Sequence, residues 1–438
     1  MNFRTVAFCT LGCKLNFSET STLLRSFVEA GFEKVSATQK ADIYVVNTCS
    51  VTEQADKKCR QTIRKLIQKN PDAIVVVTGC YAQLKPDAVA QIEGVDLVLG
   101  ADAKGNLLEY VNRLSVKGNK GTIVSCDIQA INSFFPAFSS GDRTRSFLKV
   151  QDGCDYHCAY CTVPLARGKS RNIAIAEIVK EAEIIAATGM QEVVLTGVNI
   201  GDFGKTTGES FFDLLKELEK IQKIKRYRIS SIEPNLLTNE MIAWIAKSEK
   251  MMPHFHIPLQ SGSNKILGLM RRRYQREIFA ERMKNIKLLM PHAFVGIDVI
   301  VGFPSETNDD FNETFEFLEN LQPAYLHIFP YSERAGTPAA TMPDSVPKPE
   351  RAERVKRLEI LCAKLQHDFY EKNIGSFSNV LWESTQKGGM MYGFTENYLK
   401  VEMPYNKESI GKIMPIKIIG IAENGNAKAE LSCALTDR

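Results

Sequence analysis

Over the first hundred residues, short apolar runs alternate with longer stretches whose apolar positions recur every three or four residues. The runs are 6–10, 43–46, 74–77 and 97–99. Between them lie 16–30, 52–69 and 86–92, the first carrying Leu23, Leu24, Phe27 and Val28 at helical spacing. Gly31 and Asn70-Pro71 read as stops. Strand alternating with helix predicts a parallel sheet with helices on its faces, a doubly wound α/β domain over residues 1–125. Residues 126–145 hold Phe-Phe-Pro and Ser-Ser-Gly-Asp and read as a linker.

Six further strand-like runs follow, at 147–151, 192–196, 226–232, 254–259, 294–301 and 325–329. Helical patterns at 176–187, 211–221, 239–246, 276–290 and 309–321 separate them. Six βα units over 146–373 predict an open, partial (β/α)6 TIM-like barrel, with function at the C-terminal strand ends. A long helix over 349–375, striped by Val355, Leu358, Leu361 and Leu365, leads out of it. Short β runs at 380–383, 390–394, 398–402 and 412–421 predict a small antiparallel β-barrel over 374–438.

Composition adds little. The chain has 438 residues, 44% hydrophobic and 24% charged, as ordinary globular chains have. No apolar run is long enough to span a bilayer, so no membrane partner is expected. The first residues faintly resemble a lipoprotein signal, but a buried first strand is the better reading, and with it a cytoplasmic location and reduced thiols. A net charge of +4 permits a nucleic-acid partner without arguing for one. The tail's charges balance, so Tyr392, Phe394 and Tyr398 either stack on bases or pack a core. The basic clusters at 57–60 and 223–226 are candidate RNA contacts or solvated faces.

The cysteines change the picture. Cys154, Cys158 and Cys161 stand at CxxxCxxC spacing directly after a strand. Three such thiolates can hold three corners of a [4Fe–4S] cluster and leave one iron open. Zinc sites and ferredoxin runs, the alternatives, use other spacings. Cys13, Cys49 and Cys80 follow the first three strands at βαβ separations. Strand ends of a parallel sheet share one edge, so these three converge on a second site. Gly12 and Gly79 beside them let the backbone turn. Cys9, Cys59, Cys126, Cys362 and Cys433 read as core or surface thiols.

CxxxCxYC resembles the radical S-adenosylmethionine (SAM) superfamily, where SAM chelates the open iron through its amine and carboxylate. On that resemblance Glu233 is the candidate acceptor for the SAM amine, and Arg272 or Arg167 the cation for its carboxylate. Tyr160 and the Val301-Gly302 backbone are candidates for the adenine. Thr196, Asn199 and Gln260 are further cofactor candidates at strand ends. The bland alternatives are that Glu233 caps a helix and that Arg271-Arg-Arg273 is solvated. His254 and His256 read as packed strand residues rather than ligands.

Two three-cysteine sites, a partial barrel and a β tail together resemble the methylthiotransferase family of radical SAM enzymes, whose tail is the RNA-binding TRAM domain. The resemblance implies two [4Fe–4S] clusters, an auxiliary one on Cys13, Cys49 and Cys80 that supplies sulfur, and one on Cys154, Cys158 and Cys161 that cleaves SAM. It also implies a tRNA substrate, a reductant protein and a sulfur source. Thr10-Leu-Gly-Cys-Lys-Leu-Asn16 and Pro164-Leu-Ala-Arg-Gly-Lys-Ser-Arg171 are most similar to the branch acting at C2 of the threonylcarbamoylated adenosine 3′ of the anticodon. Alternatives are another tRNA base, a ribosomal-protein residue, or a non-catalytic iron–sulfur RNA-binding protein. Two positions depart from the family pattern: Gln275 stands where Thr is usual, and Ser305 where Gly is usual.

Overall fold

The computed structural model describes residues 5–114, 121–141 and 143–432. The first sheet has six parallel strands, in the order Glu33–Lys34, Thr5–Thr10, Ile43–Thr48, Ile74–Gly79, Leu97–Leu99, Thr122–Val124. Its two central strands, Ile43–Thr48 and Ile74–Gly79, are buried at every position. That explains their unbroken apolar runs: a parallel sheet covered on both faces has no solvent side to mark. Helices cover both faces, Lys14–Glu29 on one and Glu53–Lys69 on the other, each over its own apolar core.

The second sheet is the barrel wall. Its parallel strands are Ser146–Lys149, Glu192–Thr196, Arg226–Ile229, His254–Gln260, Phe294–Val301 and Tyr325–Pro330, neighbours in chain order. Single bridges at Tyr227–Met251 and Ser231–His256 join the two halves. The wall stays open at both edges. The segment read as a linker contributes Ala137–Phe138, a buried antiparallel strand against Ser146–Lys149. Alternate strand residues, among them Leu148, Leu195, Tyr227, Phe255, Ile257 and Val299, point outward into one core with the surrounding helices. The opposite residues face the lumen and are mostly polar.

The Lys348–Glu371 helix leads to a closed five-stranded barrel in the order Phe377–Lys387, Met390–Phe394, Lys400–Pro404, Ala427–Leu431, Ile413–Ile421. All its pairings are antiparallel except Lys400–Pro404 with Ala427–Leu431. Fully buried Trp382, Met391, Leu399, Val401 and Ile416 fill it. Among the described residues no helix is long and apolar enough to cross a membrane.

The two departures from the family pattern fall at positions with specific backbone demands. Gln275 is the N-cap of Arg276–Leu289 and its side chain makes no capping hydrogen bond. Ser305 holds a left-handed φ of +65°. A Thr hydroxyl satisfies a free helix N–H, and glycine adopts positive φ without a Cβ clash. Gln275→Thr and Ser305→Gly are each expected to stabilise the protein by about 0.5–1 kcal/mol, read as a rise in the apparent midpoint of denaturant unfolding.

Candidate active site

The first three-cysteine edge forms because three adjacent parallel strands end together. Cys49 is the first residue after Ile43–Thr48, Cys80 opens a short helix directly after Ile74–Gly79, and Cys13 caps Lys14–Glu29 just beyond Thr5–Thr10. Burial, and then neighbouring Cys80 and Cys13, push the Cys49 thiol up to about 12. The approach is tight. A Cβ on Gly12, whose φ is +104°, would lie 2.6 Å from Cys49 Cβ and 2.8 Å from its Sγ. Gly79 likewise has a φ of +97° and lies against the Thr48 carbonyl. Both glycines are therefore required where the sequence places them. Asn16 braces the edge: Nδ2 donates to the Leu11 and Thr48 carbonyls at 2.8 and 3.0 Å.

The second edge is the loop after Ser146–Lys149. Tyr156 N–H donates to Cys154 Sγ and Val163 N–H to Cys161 Sγ, both at 3.4 Å, and Arg272 Nη1 to Cys158 Sγ at 3.0 Å. Burial raises the Cys154 and Cys161 thiols to about 12, and the thiols of the loop add to it by mutual repulsion. Loaded with iron, such thiols give up their protons, and the N–H donors then stabilise the thiolate sulfurs.

Arg272 is the centre of this half-site. Besides Cys158 it pairs with Glu233 and donates to the hydroxyls of Tyr160 at 3.3 Å and Tyr274 at 3.2 Å. Glu233 therefore caps no helix with its carboxylate, and Arg272 is not solvated. A carboxylate and a guanidinium side by side next to the cysteines match the two ends of an amino-acid zwitterion. Tyr160 sits edge-on to Phe303, with ring centroids 6.4 Å apart. Thr196 Oγ1 and Asn199 Oδ1 are buried without a hydrogen-bond partner, as are Ser230 Oγ and Asn235 Oδ1 one strand over. Orphaned polar atoms at the strand ends fit a site built for a polar cofactor. Gln260 lies at the bulged end of His254–Gln260 with a φ of +68°, the strained backbone typical of binding sites.

In the Val301-Gly302 turn, the Val301 carbonyl accepts Tyr331 N–H at 2.8 Å and the Gly302 N–H donates to buried Glu306 at 2.5 Å. The Val301 side chain points into the outer core. Arg167 is committed elsewhere, to Glu19, Asp152 and Asn16. Within 223–226, Arg226 is buried and donates to the Asn379 and Phe394 carbonyls of the C-terminal barrel. Cys9 and Cys362 are thiols of the interior or its margin, buried Cys59 lies beside the first edge and donates to the Cys49 carbonyl at 3.3 Å, and Cys126 is exposed. Cys433 lies outside the described residues.

No motif or periodicity signals the charge network that joins the two edges. Glu19, 1% exposed, accepts Lys104 Nζ at 2.6 Å, Lys149 Nζ at 2.9 Å and Arg167 Nη1 at 3.1 Å. Asp152 takes Lys149 at 2.7 Å, Arg167 at 2.9 Å and Arg171 at 3.2 Å. Burial pushes the Glu19 carboxyl upward, but Arg167, Lys104 and Lys149 overcome it and hold it well below the usual range. Four buried cations thus face two carboxylates beside Cys80. Burial raises the Cys80 thiol and Arg167 opposes that rise. The surplus positive charge suits an anionic iron–sulfur cluster on this edge. Further contacts carry the same union: Arg334 Nη2 donates to Ser50 Oγ at 2.7 Å and pairs with Asp56 at 3.2 Å.

The chain matches the family described as uncharacterized protein family UPF0004 over residues 5–100, and the radical SAM superfamily over 148–318. It is 41% identical over 426 residues to the threonylcarbamoyladenosine tRNA methylthiotransferase MtaB of Bacillus subtilis (strain 168), covering 95% of this chain and 94% of that one. The chain belongs to the radical SAM methylthiotransferase family. Membership carries SAM and a [4Fe–4S] cluster with it. A second relative in the same organism, a tRNA-2-methylthio-N(6)-dimethylallyladenosine synthase, is 32% identical over 421 residues, covering 93% of this chain and 82% of that one. In fold the chain is similar to the radical SAM methyltransferase TsrM of Kitasatospora setae, with a TM-score of 0.57 at 15% identity, covering 77% of each chain.

Removing the Glu19 charge leaves three cations short of a partner in the protein interior. Glu19→Gln is expected to cost about 3–5 kcal/mol, measured by denaturant unfolding of the metal-free protein, while an exposed control such as Glu53→Gln changes stability by under about 0.5 kcal/mol.

Proposed function

We propose that this methylthiotransferase adds a methylthio group to C2 of N6-threonylcarbamoyladenosine at position 37 of tRNA. The reading rests above all on two three-cysteine edges, held toward one another by the Glu19 network. Its substrate follows the greater identity to the threonylcarbamoyladenosine relative than to the dimethylallyladenosine relative. Cys154, Cys158 and Cys161 hold one cluster, and Cys13, Cys49 and Cys80 a second, auxiliary one. When bound, SAM and the barrel cluster supply one-electron cleavage and a methyl group, and the auxiliary cluster supplies sulfur.

The chain's own residues bind and orient. Arg272 and Glu233, which neutralise each other in the free protein, turn to the carboxylate and amine of SAM. Thr196 and Asn199 offer orphaned atoms to its polar groups, Gln260 lines the mouth, and Tyr160 packs beside it. The Glu19–Asp152 network holds the auxiliary edge against the barrel and keeps water out. No side-chain acid–base pair is needed, because the protein's task is position and exclusion. Turnover draws on a reductant protein and a sulfur source.

Reduced, reconstituted protein is expected to add a methylthio mass to threonylcarbamoyladenosine in tRNA and leave isopentenyladenosine unchanged, read by nucleoside mass spectrometry. Formation of 5′-deoxyadenosine with neither nucleoside altered would sink the substrate assignment. Cys49→Ala should lose about half the iron, keep SAM cleavage and abolish methylthio transfer; Cys158→Ala should abolish both reactions. Glu233→Gln should weaken SAM binding about tenfold or more, by equilibrium binding to the reconstituted protein.

A further inference from the structure

The barrel lumen holds groups that this chemistry does not use. Lys14 follows Cys13 and projects into the lumen, where it lines two cavities, of about 690 and 300 Å3. His254 and Tyr398 are walls of both. The nearby cations are already partnered. Arg228 is held by Glu192 at 2.8 Å, and Arg145 by Glu383 at 2.6 Å. Asp298, the carboxylate of this region, takes His256 Nε2 at 2.6 Å. Lys14 has no hydrogen bond or ion pair with any described residue, and the charges around it are Arg145, Arg228 and Asp298. Its side chain is exposed at the cavity wall, and an unpaired, accessible ammonium there is a site for an anion.

His256, Asp298 and His327 bring three ligand atoms within 4.8 Å of one another, an arrangement that also suits a metal ion. The charge around it decides against that reading. Asp298 already pairs with His256, and the Lys14 ammonium, which no carboxylate neutralises, stands on the same cavity wall, where it repels a divalent cation and attracts a carboxylate.

We propose that Lys14 is the specificity-determining residue that binds the carboxylate of the threonyl group on N6 of the target adenine. The inference rests on the threonylcarbamoyladenosine reading above. Its geometry follows from the neighbouring cysteine. Sulfur carried at the Cys13 edge must meet C2, and C2 and C6 flank the same ring nitrogen. A substituent on N6 therefore leaves the ring beside the sulfur-bearing edge, where Lys14 stands. A carboxylate there pairs the ammonium. An apolar isopentenyl group would leave it unpaired and desolvated, which penalises the wrong base rather than merely failing to reward it.

The test is binding by the reconstituted holoprotein, without SAM, of anticodon stem-loops carrying threonylcarbamoyladenosine as the free acid or as its methyl ester. The wild type is expected to prefer the acid about tenfold or more. Lys14→Met should bind both as the wild type binds the ester, and Lys14→Arg should keep most of the preference. Iron content and the visible spectrum of each variant verify that both clusters are loaded. An undiminished acid-over-ester preference in Lys14→Met overturns the proposal. So does equal binding of acid and ester by a wild type that nevertheless methylthiolates the acid, an outcome that leaves the substrate reading intact. A wild type that methylthiolates no threonylcarbamoyl stem-loop or tRNA overturns both.

Discussion

Glu19 sits on the first helix of the N-terminal domain, yet its carboxylate belongs as much to the barrel, through Lys149 and Arg167, as to its own domain, through Lys104. Buried charges are costly unless each is paired and hydrogen-bonded. The four cations and two carboxylates of this network satisfy that condition only when the Lys14–Glu29 helix lies against the Ser146–Lys149 strand. Pull the domains apart and the same groups must be resolvated or left unpaired. The network therefore fixes more than a contact area. It fixes which edge of the first sheet meets which end of the second, and so places the Cys13, Cys49 and Cys80 edge over the cysteine loop of the barrel.

The lumen has the same logic at its other end. Arg226 and Arg228 reach out of the barrel wall to the carbonyls of Asn379, Phe394, Thr395 and Glu396, and Glu192 balances their charge. The C-terminal barrel thereby closes the floor, with Phe394 and Tyr398 stacked at a centroid distance of 4.7 Å and Tyr398 packed on His254. These half-buried aromatics are walls of the larger lumen cavity. The open edges of a six-stranded wall are thus an asset: three separate pieces of chain line one chamber.

Much of this was legible in the sequence. The Glu192–Thr196, Phe294–Val301 and Met390–Phe394 strands have the bounds their residue patterns suggest, and both sets of cysteines stand at strand ends. What escaped is short or long-range. Thr122–Val124 and Ala137–Phe138 carry too few residues for a period and exist because a neighbouring strand leaves an edge to pair. Glu19 carries no signal of its role, since periodicity cannot tell water from a partner domain's cations. Gly302 holds a left-handed φ of +73° in a turn packed on Arg351, a demand that no local pattern announces. The departures at Gln275 and Ser305 acquired meaning only once the backbone around them was known.

The polar lumen carries a lesson about pattern. A strand in a parallel sheet covered on both faces reads as continuously apolar, as the central strands of the first domain do. In the barrel, His254, His256, Asp298, His327, Arg226 and Arg228 instead alternate with apolar residues, the pattern of a sheet with one face in water. No face of this wall is on the outside, because helices cover one side and two domains close off the other. Polar alternation in a parallel strand therefore marks a chamber that has to hold something polar. The cysteine edges account for the top of that chamber. Lys14, unpaired at its wall, is the charge that the proposed carboxylate-bearing substrate would meet there.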